Sequence, residues 1–285
     1  MTMKVCALYW KNSRSKDKQK PRRLIMSDID GTFLNSQKQI PSETIEICRR
    51  LYQEKKTRFA LASGRGMAGI RPVADAFGLP VFILPCNGAE IYDETGRLIC
   101  QKTLLFQDVP AIKKTVKKIN PQIETIVYAG QDWIADEFTD IVRGECYVMP
   151  TKPVIGSFET VVSPAAPVLK VICVGTPENT AELAERLTPV LPQYDLYKSQ
   201  NYILEIVAKG VNKAAGLDFL CQRCGIDTAQ TIAFGDGYND IDMLECAGIG
   251  IAMANAPDDV KRHADKITRS NDDNGIAVAL KEIFY

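Results

Sequence analysis

The chain has 285 residues, 46% of them hydrophobic and 25% charged, with thirty-five Lys and Arg balanced by thirty-five Asp and Glu. That length allows one large domain or two modest ones, and zero net charge lacks the basic excess that marks nucleic-acid or anionic-membrane partners. No apolar run approaches the roughly 20 residues of a membrane span, and nine scattered cysteines point to free thiols in a reducing cytoplasm, not to a disulfide framework.

Residues 1–20 read as a polar extension expected to be disordered. Val5–Trp10 is too short for a signal-peptide core, and it precedes its basic cluster (Lys11, Arg14, Lys16, Lys18, Lys20) where a signal peptide would follow one. An apolar strand over Arg23–Ser27 then ends in Asp28-Ile29-Asp30-Gly31-Thr32. Residues i and i+2 of a strand share a side, so Asp28 and Asp30 are expected together at the strand's C-terminal end. Two adjacent carboxylates repel and call for a cation or a shared proton. Pro41-Ser42-Glu43-Thr44 starts a helix with proline near N1. Phe59–Ala62 and Val81–Leu84 are further short strands, as are Thr231–Phe234 and Ile249–Ala252 near the other end. Each is apolar throughout, the pattern of parallel strands buried on both faces.

Between about Leu98 and Val207 the pattern changes to longer strands and more prolines. Strands are predicted over Val168–Val174 and Tyr202–Val207, and helices over Val109–Ile119 and Ala181–Leu191. The fold class is therefore α/β: a core with a parallel sheet, over residues 21–100 and 208–285, interrupted by an inserted α+β unit over residues 101–207. Cys221-Gln222-Arg223-Cys224 is a lone C-x-x-C with no second pair and the only histidine, His263, far along the chain, so helical cysteines fit it better than zinc.

Four clusters each follow or close an apolar run: Asp28 to Thr32; Ser63-Gly64-Arg65; Lys209-Gly210-Val211-Asn212-Lys213 before a helix over Ala214–Cys221; and Gly235-Asp236-Gly237-Tyr238-Asn239-Asp240. Singly, the second is a common turn and the third a solvated charge. Together they suit phosphoryl transfer, which needs an in-line nucleophile, a cation and donors around the equatorial oxygens. Asp28 and Asp236 can hold Mg²⁺, a hard oxygen-seeking ion. Ser63, the backbone N–H groups beginning at Gly64, and Lys213 can hold the phosphoryl group. Asp30 is placed for proton transfer.

In this order the clusters resemble motifs I to IV of the haloacid dehalogenase (HAD) superfamily, in its Cof-like branch (subfamily IIB) with a C2-type cap. Asn87-Gly88-Ala89, Ile251–Ala256, and Ala264–Thr268 followed by Asn274-Gly275-Ile276 also resemble that branch. The resemblance implies a Rossmann-like core with a C2B-type cap. It implies that Asp28 attacks phosphorus to form an aspartyl-phosphate, and that Asp30 protonates the leaving alkoxide and later activates water. Mg²⁺ would be held by Asp28, the Asp30 carbonyl and Asp236. Ser63, Gly64, Lys213 and Asn239 would contact phosphate, and Asp240 would support the metal shell or Lys213. Phe33, Ala214 and Ala254 depart from the family's usual residues without removing a chemical group. The implied function is cytoplasmic, Mg²⁺-dependent hydrolysis of a small phosphorylated metabolite, such as a sugar phosphate. A phosphotransferase or phosphomutase, or a non-catalytic phosphometabolite-binding regulator, are the alternatives. No nucleic-acid or membrane partner is implied, and nothing in the sequence fixes an oligomeric state.

Overall fold

The structure, a computed structural model, describes residues 23–146 and 151–285, and the expected N-terminal extension lies outside the described residues. The chain opens with β1 (Arg23–Asp28), α1 (Ser42–Lys55), β2 (Thr57–Ala62), α2 (Met67–Phe77), β3 (Val81–Leu84), β4 (Glu90–Tyr92) and β5 (Leu98–Gln101). The middle supplies α3 (Val109–Ile119), β6 (Glu124–Ala129), β7 (Asp132–Ala135), β8 (Val154–Ile155), β9 (Val168–Val174), α4 (Pro177–Leu187), β10 (Tyr194–Gln200) and β11 (Ile203–Ala208). The chain closes with α5 (Lys213–Cys224), β12 (Thr231–Gly235), α6 (Ile241–Cys246), β13 (Ile249–Ala252), β14 (Lys266–Ile267) and α7 (Gly275–Phe284).

The main sheet has eight strands in the order β14-β13-β12-β1-β2-β3-β4-β5. It is parallel from β14 to β3, and β4 and β5 extend it antiparallel. Its strands are apolar on both faces because both are covered. Ile25, Phe59 and Ile83 pack with Leu51, Ile70 and Leu280 on one side. Leu24, Met26 and Leu84 pack with Leu217 and Leu220 on the other. Each such side chain contributes about 1.5–3 kcal/mol by leaving water. β1 is central, so the segment that follows it is held on both sides.

The six-stranded second sheet runs β10-β11-β9-β6-β7-β8 and is antiparallel apart from the β7–β8 pair. One face carries α3 and α4 over Val127, Val171, Leu204 and Ile206. The opposite face, with Ile126, Trp133, Ile172 and Val207, is closed by Cys86, Ala89 and Val211. The inserted sheet thus caps the main sheet. The chain leaves the main sheet after Gln101 and returns at Gly210, and the two crossings lie together. Lys102 Nζ donates to the Gly210 carbonyl at 2.9 Å, and the Gly210 N–H donates to Asp195 Oδ2 at 2.6 Å.

Several element boundaries differ from the sequence reading. Pro41 is the N-cap of α1 and not N1, with Ser42 the first helical residue. The helix expected over 181–191 begins at Pro177, because the Thr176 hydroxyl caps it by accepting from the Asn179 N–H, and it ends at Leu187. α5 runs on to Cys224, where left-handed Gly225 stops it. The strand expected over 202–207 covers Ile203–Ala208. The eight described cysteines are all free, Cys221 and Cys224 among them. Among the described residues, no helix is long and apolar enough to cross a membrane.

Candidate active site

Strand register brings the four clusters to one edge. β1 pairs with β2 so that Asp28 lies beside Ala62, and with β12 so that Ser27 lies beside Phe234. Asp28, Ser63 and Asp236 therefore emerge from three neighbouring strands at their C-terminal ends, where open α/β sheets bind ligands. Lys213, the first residue of α5, enters from the side. Asn212 fixes that helix start by accepting the Ala215 N–H at 2.7 Å.

Lys213 is fully buried and sits between two carboxylates. Its ammonium donates to Asp28 Oδ1 and, at 2.6 Å, to Asp240 Oδ1. Asp240 Oδ2 accepts from the N–H groups of Asp236 and Gly237 at 3.0 and 2.8 Å. Both Asp240 oxygens are thus committed to holding Lys213 and the motif IV loop. Burial, reinforced by the charges of Asp240 and Asp236, raises the Asp28 carboxyl well above its ordinary range against the pull of Lys213. Burial also lifts Asp236, to about 6. The Lys213 ammonium is disfavoured by burial, yet Asp240 and Asp28 more than offset this and keep it charged.

Oxygens of Asp28, Asp236 and Asp240 lie within 4.8 Å of one another. With Asp240 already committed, Asp28 and Asp236 are the side chains able to hold a cation. Every donor there is a carboxylate oxygen, the set that suits a hard divalent cation. Asp236 is aimed by the Thr32 hydroxyl, which donates to Oδ1 at 2.6 Å. Asn255 Nδ2 ties the Gly31 carbonyl, at 2.8 Å, to Asp236 Oδ2, at 3.4 Å. Gly31 has φ +78°, and a Cβ there would stand 2.3 Å from Asp236 Oδ2. Only glycine lets the two loops approach this closely.

Asp30 is placed differently from Asp28. It lies past the end of β1, and its carboxylate is gripped by Arg65, with Nε on Oδ2 at 2.7 Å and a second nitrogen on Oδ1, and by Lys38 Nζ at 2.8 Å. Partial burial raises its pKa, but the bonds and charges of Arg65 and Lys38 outweigh burial and hold it below the usual carboxylate range. Ser63 is buried, and its hydroxyl accepts the Arg65 N–H at 3.2 Å. The Gly64 carbonyl accepts Lys170 Nζ of the cap at 2.8 Å. Asn239 donates through Nδ2 to Asn87 Oδ1 at 3.0 Å. The structure thus gathers Asp28, Asp236, Lys213 and Asp240 in one cluster, with Asp30, Ser63, Gly64 and Asn239 bonded into the loops around it.

Sequence reasoning gave no role to Thr32, Lys38, Arg65, Asn87 or Asn255. Thr32 and Arg65 sit inside the four clusters, and Asn87 and Asn255 inside the further family-like segments, so adjacency was the available signal. Lys38 reaches the site only through loop geometry.

A family model described as haloacid dehalogenase-like hydrolase matches residues 25–280. A solved haloacid dehalogenase-like hydrolase from Bacteroides thetaiotaomicron is similar at 32% identity and TM-score 0.80, covering 92% of this chain and 99% of its own. The HAD subclass IIB sugar phosphatase BT4131 is similar at 26% identity and TM-score 0.78, covering 92% and 98%. The 5-amino-6-(5-phospho-D-ribitylamino)uracil phosphatase YcsE of Bacillus subtilis is 28% identical, covering 91% of this chain and 94% of its own. With the four motif clusters converging on one sheet edge beneath an inserted cap, the chain belongs to the haloacid dehalogenase-like hydrolases and is a phosphatase of that family.

Proposed function

We propose that the protein hydrolyses small phosphate monoesters, a sugar phosphate or similar metabolite, with Mg²⁺ and through an aspartyl-phosphate on Asp28. The observation that carries this reading is the Lys213 bridge. Its ammonium bonds Oδ1 of Asp28, while carboxylate oxygens of Asp28, Asp236 and Asp240 lie within 4.8 Å of one another. The polyol and sugar phosphates in the names of YcsE and BT4131 support the substrate class.

Mg²⁺ would be held by Asp28, Asp236 and the Asp30 carbonyl, and when bound it would neutralise charge on the phosphoryl oxygens. The chain's own groups carry the rest. Asp28 attacks phosphorus, the bond to the ester oxygen breaks, and the leaving alkoxide takes a proton from the Asp30 carboxyl. Water then attacks the aspartyl-phosphate, Asp30 accepts its proton, and phosphate leaves with Asp28 restored. Ser63, the Gly64 backbone, Lys213 and Asn239 surround the transferring oxygens, and Asp240 keeps Lys213 in place. Arg65 and Lys38 favour the carboxylate form of Asp30, the form the second half needs. The cap over residues 101–207 excludes water from the first half and reads the alcohol.

A panel of phosphorylated metabolites, ranked by kcat/KM, tests the reading and names the substrate. Beryllofluoride trapping adds a structural check, since density on any side chain other than Asp28 overturns the nucleophile assignment.

A further inference from the structure

The mechanism above leaves one buried polar network unused. On the inward face of the cap sheet, Lys170 Nζ donates to Glu205 Oε2 at 3.0 Å, with both side chains almost fully buried. Tyr197, the cross-strand partner of Glu205, places its hydroxyl 3.3 Å from the same oxygen. These cap groups converge on one core residue. Asn87 Nδ2 donates to the Tyr197 hydroxyl at 2.7 Å and lies 3.5 Å from Glu205 Oε2. On its other side, Asn87 Oδ1 accepts from Asn239 at 3.0 Å. The Glu205 carboxylate fixes the amide orientation, because it only accepts and reversing the amide would set the Asn87 oxygen against it.

The backbone under Asn87 is equally constrained. Cys86, Asn87 and Gly88 have φ of +48°, +56° and +97°, three left-handed residues in succession. Such a turn persists only where its surroundings hold it. Here the Cys86 N–H donates to the Arg65 carbonyl and the Asn87 N–H to the Ser63 carbonyl, both at 2.8 Å. Asn87 therefore touches the backbone of the Ser63-Gly64-Arg65 loop, the Asn239 side chain and two cap strands at once, while only 1% exposed.

We infer that Asn87 is a positioning residue that couples seating of the cap to the orientation of Asn239 at the phosphoryl site. With the cap seated, Tyr197 and Glu205 hold the amide's donor end, and its acceptor end fixes Asn239. With the cap lifted, the donor end loses both partners, and Asn239 loses a fixed acceptor. The phosphate site is then fully formed only under a closed cap. This rests on the proposed contact of Asn239 with phosphate.

The test is a set of double-mutant cycles on the full chain, read as inorganic phosphate binding by calorimetry in Mg²⁺. Tyr197→Phe removes a cap hydroxyl that bonds to Asn87 and not to Asn239. It is expected to weaken phosphate binding about 3- to 10-fold, the range of coupling between networked residues. In an Asn87→Gly background, which removes the amide and keeps the left-handed turn, the same change is expected to cost less than about 2-fold. Asn239→Ala is expected to silence Tyr197→Phe in the same way. The Asn239→Ala background also decides the matter if the glycine variant does not fold, since it leaves Asn87 and its turn intact. A Tyr197→Phe effect that is absent in the parent, or that survives undiminished in these backgrounds, overturns the inference. Phosphate binding without hydrolysis of any ester overturns the phosphatase mechanism alone, while the cycles still decide the role of Asn87. No phosphate binding by the parent overturns both.

Discussion

Replacing Asp28 by Asn should abolish turnover and, in metal-free buffer, make the protein more stable. The sizes follow from the site. An Asp28 oxygen lies within 4.8 Å of oxygens of Asp236 and of Asp240. At an effective dielectric of about 20, each such pair of unit charges repels by about 3.5 kcal/mol, so the two together cost about 7. The Lys213 ammonium, in contact with Asp28, returns about 7 kcal/mol on the same scale. Charge–charge effects nearly cancel, and the cost of burying the carboxylate is left standing. The raised pKa of Asp28 carries the same sign. An amide keeps an acceptor for Lys213 and sheds the charge, for a gain of about 1–3 kcal/mol, the cost the buried charge imposed. Thermal unfolding in EDTA should therefore show a midpoint higher by several degrees, at about 2–4 °C per kcal/mol. Mg²⁺ should raise the midpoint of the parent more than that of the variant, since the variant lacks the charge the ion neutralises. A variant less stable than the parent in EDTA refutes the electrostatic reasoning, and one that retains turnover refutes the nucleophile.

Asp30→Asn should keep metal binding, because its proposed ligand is a backbone carbonyl, and lower the rate by about 10²–10⁴ for poor leaving groups. The loss in the first half-reaction should shrink for p-nitrophenyl phosphate, and equal losses for good and poor leaving groups would show that Asp30 is not the acid. Gly31→Ala should lower Mg²⁺ affinity and stability together, by at least about 2 kcal/mol in folding, because its Cβ drives into Asp236 from a left-handed backbone; wild-type Mg²⁺ affinity in that variant would refute the close approach. Asp236 is held at about 6, so Mg²⁺ must displace its proton below that pH, and apparent affinity should fall up to about tenfold per unit below pH 6. In metal-free protein the folded state keeps this proton between its ordinary value of 3.8 and about 6 while the unfolded chain releases it, so stability should decline as pH rises through that window. Mg²⁺ affinity that stays level from pH 6 to 5 would count against the assignment.

The strands that carry the chemistry were legible because buried parallel strands are short, wholly apolar and end abruptly in polar residues. Arg23–Ser27 and Thr231–Phe234 stop within one residue of the observed ends, at Asp28 and Gly235. β10 was not legible: Tyr194–Gln200 mixes Asp195, Lys198 and Ser199 with apolar residues and owes its strand to pairing with β11. The N-terminus of α4 was legible in principle, since Thr176-Pro177 is a cap followed by proline, but the apolar spacing drew the helix to a later start. At the site, contiguous motifs exposed Asp28, Asp30 and Asp236. The ion pairs of Asp30 with Arg65 and Lys38 were invisible, because they depend on how two loops turn after their strands end. The environment of Asp30, and hence its charge state, is a tertiary property that residue type and spacing do not encode.

The closeness of the two crossings, Lys102 to Gly210, bears on how this architecture can be rebuilt. None of the eight main-sheet strands uses a residue between 102 and 209. To the main sheet, that whole stretch is a loop with nearly touching ends, and the entropy of closing a loop grows only slowly with its length. A cover of quite different size could be grafted at the same two points without disturbing strand order or the Asp28–Lys213–Asp240 bridge. The reacting groups and the groups that greet the alcohol are therefore free to diversify on separate schedules, provided that each new cover supplies its own acceptor for the Asn87 amide.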